Sequence, residues 1–221
     1  MANRDTDWVR RYWDRSAGAY DSSMGLFEKL MLGDGRRWIG HQAAGDVLEI
    51  AIGTGRNLPA YSSAARLTGI DLSPEMLGRA RQRAIQMGLE VDLSVGDAQQ
   101  LDLPDDRFDT VVFSLALCSI PDDRAAIREA KRVLRPGGQL LLMEHVRSPR
   151  RSVRAVERMI DLFTSRFQGD HMLREPLDHL RREGLVIEHV SRSSLGIIER
   201  AIARKPGPAM RSDGPPPALP E

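Results

Sequence analysis

Gly53 and Gly55 stand just past a short apolar run, Val47 to Ala51. Two glycines there permit a tight turn and let backbone amides come close to a ligand. A helix N-terminus after such a turn offers orphan N–H groups to an anion such as a carboxylate. Alone, a Gly-x-Gly loop is a weak signal. The dinucleotide-binding version needs a third glycine, and Leu58 occupies that place, which argues against a nicotinamide or flavin cofactor. Asp71 follows sixteen positions after Gly55, at the end of a second apolar run. A carboxylate there can accept both hydroxyls of a ribose; a solvated strand-end aspartate is the equal alternative. Asp97, in Gly96-Asp97-Ala98, can accept from the exocyclic amine of adenine or serve only as a turn residue before a short helix. Three such signals at three successive strand ends are more specific than any one of them.

A second group of residues falls further along. His145, in Met143-Glu144-His145-Val146, follows a strand. A neutral imidazole there can take a proton near pH 7, or it is an ordinary hydrogen-bonded strand-end histidine. Asp170 and His171 adjoin in a loop before a helical segment, where Asp170 can equally be a cap. His145, His171 and Asp170 are therefore the candidate catalytic residues. Cys118 reads as a buried, inert thiol rather than a nucleophile. No metal site is expected.

These residues need a frame. Residues 5–20 and 22–42 read as two helices broken near Asp21-Ser22-Ser23, with Trp8, Tyr12 and Trp13 on one face. Strands are expected at Val47–Ala51, Arg66–Asp71, Val91–Val95, Phe108–Leu115 and Gln139–Val146. Ser73-Pro74-Glu75 opens a helix that Gly88 stops. Another helix runs from Asp122-Asp123 to before Pro136-Gly137-Gly138, and two more cover Ser152–Phe167 and Leu173–Glu183. Val186–Val190 and Leu195–Ala203 form a closing antiparallel pair. The alternation implies an α/β fold: a Rossmann-like, mostly parallel seven-stranded sheet with helices on both faces and an antiparallel closing strand. In such sheets the ligand sits beyond the carboxyl ends of the strands at the switch point.

The same residues carry a family resemblance. Val47-Leu48-Glu49-Ile50-Ala51-Ile52-Gly53-Thr54-Gly55 resembles the first motif of class I S-adenosylmethionine (SAM) methyltransferases. Gly69-Ile70-Asp71-Leu72-Ser73-Pro74-Glu75-Met76-Leu77 is similar to the second. Gly96-Asp97-Ala98, Phe108-Asp109-Thr110-Val111-Val112 and Arg132-Val133-Leu134-Arg135-Pro136-Gly137-Gly138 are similar to the later ones. The resemblance implies that Glu49, Gly53 and Gly55 hold the methionine part, Asp71 the ribose, and Asp97 with Ala98 the adenine. It extends the cofactor set to Tyr20, Ala51, Asn57, Leu72, Met76 and Ser114. Arg11 to Asp21 resembles the Tyr-x-x-x-Ala-x-x-Tyr-Asp lid of lipid and quinone methyltransferases, with Tyr12 and Tyr20 at the matching positions. That implies a helical lid over 1–44, a cofactor-binding core over 45–204 with an acceptor-side insertion at 147–184, and a disordered tail over 205–221.

On the acceptor side, Leu117-Cys118-Ser119-Ile120, Met143–Val146 and Gly169-Asp170-His171 resemble a membrane-associated thiol methyltransferase group. Gly55-Arg56-Asn57-Leu58-Pro59 resembles phospholipid N-methyltransferases and ubiquinone/menaquinone C-methyltransferases. The implied acceptor is small, lipophilic or lipid-like: a thiol, amine, quinone or phenol. A non-catalytic SAM-binding protein and, more remotely, a nicotinamide-dependent oxidoreductase are the alternatives. Nucleic acid is not expected as a partner. Ser114–Ile120 lacks the Asn/Asp-Pro-Pro-aromatic motif of base-amino methylation, and the net charge of +1 gives no long-range attraction to phosphate. With a single cysteine no internal disulfide can form, and neither a signal peptide nor a spanning helix is visible, so the cytoplasm is the expected compartment. The segment 152–167 puts Val153, Val156, Ile160, Phe163 and Phe167 on one face beside Arg147, Arg150, Arg151, Arg154 and Arg158. It either lies on an anionic membrane surface or covers the sheet as an ordinary helix.

Overall fold

A computed structural model describes residues 5–167, 171 and 173–207. Helix α1 (Thr6–Met31) starts at Asp5, whose side chain accepts the N–H of Trp8. It runs without a break through Asp21-Ser22-Ser23. Ser23 Oγ donates back to the Tyr20 carbonyl at 2.8 Å, which satisfies the serine inside a helix. The break instead falls after Leu32, where Gly33 takes φ +55°, before α2 (Gly35–Gln42). Only a residue without a Cβ turns there at little cost.

The sheet is built from β1 (Asp46–Ile50), β2 (Arg66–Asp71), β3 (Val91–Val95), β4 (Phe108–Ser114), β5 (Leu134–His145), β6 (Val186–Ser193) and β7 (Ile198–Arg204). Their order is β3-β2-β1-β4-β5-β7-β6. Strand β7 is antiparallel to both neighbours, and the other six run parallel. Strand β5 begins at Leu134, directly after α4 (Asp123–Val133), so Pro136-Gly137-Gly138 lies inside the strand rather than in a turn before it. A register shift against β4 between Phe108 and Thr110 and φ +81° at Gly137 absorb the irregularity.

Alternate residues of the central strands feed two cores, because successive side chains of a strand face opposite ways. Leu48, Val111 and Leu140 pack with Ile127 of α4 and Leu180 of α6 (Pro176–Arg182). Val47, Val112 and Leu141 pack with Ile39 of α2 and Leu77 of α3 (Pro74–Met87). Helix α3 has the expected ends: Ser73 caps it through the Met76 N–H, and Gly88 closes it at φ +64°. Between β5 and α6 lies α5 (Arg151–Phe167). Among its described residues only Glu157 is buried. The chain lays β1, β2 and β3 outward on one side and then returns to place β4 on the other side of β1. The carboxyl ends of β1 and β4 therefore border a crevice.

Two glycine substitutions test this packing in opposite directions. A Cβ on Gly40 would fall 1.9 Å from the Ala60 carbonyl oxygen, whereas one on Gly25 of α1 meets nothing within 4 Å. Gly40→Ala is expected to lower stability by about 1–3 kcal/mol, and Gly25→Ala to raise it by about 0.5–1 kcal/mol. Denaturant unfolding of both variants checks the signs.

Candidate active site

The crevice begins where β1 ends. Ala51 takes φ +56°, followed by Gly53 at +59° and Gly55 at +75°. A side chain in this region costs roughly 1–2 kcal/mol, so Ala51 is held there by its surroundings. Leu115, just past β4, has φ +54°. Both strained residues line the same cavity, as strain concentrated at functional sites does.

The Asp71 carboxylate ties the loop together. It accepts the Gly53 N–H at 2.7 Å on one oxygen and the Ser73 N–H at 2.8 Å on the other. Burial pushes its pKa up to about 6, against the lowering effect of these backbone donors. Each oxygen keeps a further acceptor site, which suits two vicinal hydroxyls.

Behind the loop lies a buried strut. Asn57 Nδ2 and Tyr61 OH each donate to Glu49 at 2.7 Å, and Arg36 donates to Asn57 Oδ1 at 2.5 Å. Burial raises Glu49 to about 7 in spite of these donors.

The cavity encloses about 660 Å³ of non-atom space, with the open solvent at its mouth included. Its lining includes Tyr20, Ala51, Gly53, Asp71, Leu72, Met76, Asp97 and Ala98. Four other residues of the expected cofactor set stand elsewhere. Glu49 and Asn57 belong to the strut. Gly55 makes room for α3, since a Cβ on it would lie 2.7 Å from Leu58 Cδ1 and 3.2 Å from Ala80 Cβ. Ser114 ends β4 beside the lining, with its buried Oγ lacking a hydrogen-bond partner. Asp97 accepts from the Gln99 backbone at 2.9 Å.

Helix α1 covers one side of the cavity with Val9, Trp13 and Tyr20. Trp13, not Tyr12, is the inward aromatic. Tyr12 stacks on Trp8 at 5.6 Å, whereas Trp13 meets Tyr20 edge-on at 5.7 Å. Trp13 also lies four residues before Ala17, which is the spacing of the lid pattern. Sequence reasoning missed what holds α1 down. Asp14, Asp21 and Glu28 recur every seven residues along it. Asp14 accepts from Ser73 Oγ at 2.6 Å. Asp21 accepts from Thr54 Oγ1 at 2.6 Å and pairs with Arg83. Glu28 pairs with Arg56, at 2.6 Å, and with Arg36. The sevenfold spacing was the available signal, because it returns to one helix face every two turns.

The opposite wall is the segment after β4: Leu115, Ala116, Ser119, Ile120 and Pro121. Its backbone is held from the 144–174 region. Glu144 Oε1 accepts the N–H groups of Ala116 and Leu117 at 2.8 and 3.0 Å. Arg174 donates to the carbonyls of Leu117, Ile120 and Pro121. The His171 N–H donates to the Cys118 carbonyl at 2.8 Å.

His145 and His171 are not part of the cavity lining. Burial holds the His145 imidazole down at about 4, so it is neutral at pH 7. Burial, with a contribution from Arg174, also lowers His171. Asp170 lies outside the described residues, as do the side chains of Val156, Phe163 and Phe167.

Comparison with known proteins follows this geometry. Residues 48–142 match a family model described as a methyltransferase domain. A phosphatidylethanolamine N-methyltransferase of Cereibacter sphaeroides is 39% identical over 72% of this chain and 78% of its own length. The chain belongs to the SAM-dependent methyltransferases. A ubiquinone/menaquinone biosynthesis C-methyltransferase of Desulfotalea psychrophila is 34% identical over 62% of this chain and 57% of its own. A SAM-dependent methyltransferase structure from Methanosarcina mazei shares the fold, with TM-score 0.60 at 24% identity over 75% of this chain and 94% of that one. The methyltransferase thus uses SAM as its cofactor, and the carboxylate of Asp71 with its remaining acceptor sites fits the ribose. When bound, SAM supplies an activated methyl on a sulfonium.

Hydroxyl donors favour the ionised form of Asp71. Cofactor affinity is therefore expected to be level above pH 7 and to fall by roughly tenfold per unit below about pH 6, as one proton is taken up. Calorimetric titration with the demethylated product across this range measures it, and Asp71→Asn should flatten the profile. A Cβ on Gly53 meets no protein atom within 4 Å, so the added side chain of Gly53→Val would occupy cavity space. That variant is expected to lose measurable cofactor binding in the same titration.

Proposed function

We propose that this methyltransferase transfers the methyl group to a small lipophilic or lipid-like acceptor, with an amine or a ring carbon of a reduced, hydroquinone-type quinone as the leading classes. The supporting observation is the make-up of the cavity wall. The carboxylates and the amide of the lining come from the end of β2 and from just beyond β3, with Asp71, Asp97 and Gln99, while Tyr20 and Ser119 add single hydroxyls to the other walls. The walls from α1 and the segment after β4 are mostly apolar, with Val9, Trp13, Leu115, Ala116, Ile120 and Pro121. Among the described residues the lining contains no Lys, Arg or His. The names of the two relatives, a phosphatidylethanolamine N-methyltransferase and a ubiquinone/menaquinone C-methyltransferase, point the same way.

Methyl transfer from a sulfonium is an in-line displacement, and alignment alone can supply roughly 7–11 kcal/mol of the barrier. In this reading α1 acts as the lid. Trp13 and Tyr20 close over the bound molecules and exclude water, while Leu115 to Pro121 orients the acceptor. A general base is needed only for an acceptor that is protonated at the moment of attack. His145 and His171 stand back from the lining, so an amine would react as its free base and a hydroquinone ring as its phenolate, the proton leaving to solvent in each case, while the protein positions the acceptor. The cytoplasm is the compartment that fits this reading.

The test is a panel with methyl-labelled SAM. Phosphatidylethanolamine, a demethylated quinone analogue in its reduced hydroquinone form, an alkyl thiol and an alkyl phenol are offered in detergent, beside a water-soluble amine. Label is expected in a lipophilic member. Label only in the water-soluble amine would overturn the acceptor class. Cofactor binding with no transfer to any member would make the chain a binding protein.

A further inference from the structure

Among the described side chains of helix α5, none belongs to either apolar core. Its surroundings are unusual in charge. Residues 147–167 contain six arginines (147, 150, 151, 154, 158 and 166) against Glu157 and Asp161. Glu157 is turned inward, where its carboxylate accepts the Ser148 N–H at 3.0 Å. Arg147 pairs with Glu175 at 2.6 Å, and Arg154 donates to the Pro149 carbonyl. Arg150, Arg151 and Arg158 are exposed. Among them lie exposed apolar side chains: Met159 is 73% and Ile160 46% accessible.

A third apolar group comes from another element. Leu195, in the turn between β6 and β7, is 54% accessible and sits at φ +65°. Its carbonyl accepts from Ser148 Oγ at 2.9 Å, which ties this turn to the start of α5. Strand β5 ends at His145 and the parallel strand β6 ends at Ser193. The start of α5 and the Leu195 tip therefore emerge from the carboxyl edge of the sheet, the same edge on which the cofactor cavity opens.

We propose that the start of α5 and the Leu195 turn form a docking surface for an anionic lipid bilayer. Exposed arginines beside exposed Met, Ile and Leu suit a surface with negative head groups above an apolar layer. The helix would lie on the bilayer, since no helix among the described residues is long and apolar enough to cross one. A two-fold contact with a second copy would bring the same arginines face to face, which disfavours that occupant. The inference goes beyond the choice of acceptor, because surface binding needs no methyl transfer. It also bears on that choice: a lipid-borne acceptor would reach the cavity from the docked edge.

The test uses the full chain and sedimentation with vesicles. One set is phosphatidylcholine alone, and the other is phosphatidylcholine mixed with phosphatidylglycerol. Binding is expected only to the mixed vesicles and should weaken with added salt. Replacing Arg150, Arg151 and Arg158 by Gln should cost roughly fivefold in affinity for each arginine removed. Met159→Glu and Leu195→Ser should each weaken binding at constant charge on the arginines. Calorimetric affinity for the demethylated cofactor should be unchanged in every variant, which shows that they are folded. No binding to mixed vesicles overturns the proposal, as does undiminished binding by the triple variant. A dimer in light scattering that the triple variant abolishes, without vesicle binding, would reassign the surface to a second copy.

Discussion

The carboxylate of Asp71 is the joint on which the cofactor end of the molecule turns. It joins two chain reversals that are distant in sequence, the loop after β1 through Gly53 and the turn before α3 through Ser73. Parallel pairing of β1 with β2 brings both reversals to the same edge, so one side chain can accept from both. Burial raises its proton affinity, and the two N–H donors offset part of that cost. The joint is thus tuned to be ionised at neutral pH while still holding acceptor capacity for a ligand.

Around this joint the two walls of the cavity, one irregular and one helical, are held by charge. Irregular backbone beside a cavity must still satisfy its N–H and C=O groups. Glu144 and Arg174 do that for the segment from Ala116 to Pro121, one accepting N–H groups and the other donating to carbonyls. On the other side, Asp14, Asp21 and Glu28 clamp α1 to Ser73, Thr54, Arg83, Arg56 and Arg36. Partly buried ion pairs add little net stability, because desolvation cancels much of the attraction. Their effect here is positional: they set where Trp13 and Tyr20 lie over the cavity.

Several particulars show where sequence reasoning is strong and where it fails. Strand β3 and helix α3 matched their expected bounds, because apolar runs, a Ser cap and a terminal Gly are local requirements. The expected break at Asp21-Ser22-Ser23 did not occur. Such residues favour helix ends when their side chains bond the backbone in non-helical conformations, whereas here Ser23 bonds the Tyr20 carbonyl within the helix and Asp21 pairs with Thr54 and Arg83. Pro136-Gly137-Gly138 entered β5 because a bulge at β4 accommodates it. Glu49 and Gly55 lie in the first motif and Asn57 just after it, and all three stand outside the cavity lining, where they support the loop and α3.

The sequence by itself determined the methyl donor and the fold class. Gly53, Asp71 and Asp97 fall at successive strand ends, and each is demanded by backbone geometry or ligand chemistry within a few residues of itself. Tertiary structure alone decided which side chains line the cavity and what keeps its walls in place. Thr54 and Asp21 are 33 residues apart, and Arg83 and Asp21 are 62 apart. Such pairs are set by the order of strands in the sheet and the path of α1 across it. The sevenfold spacing of Asp14, Asp21 and Glu28 marks a shared helix face, but a contact between distant residues leaves no local mark in the chain, so their partners, and the roles of Glu144 and Arg174, became legible only once the fold had placed them side by side.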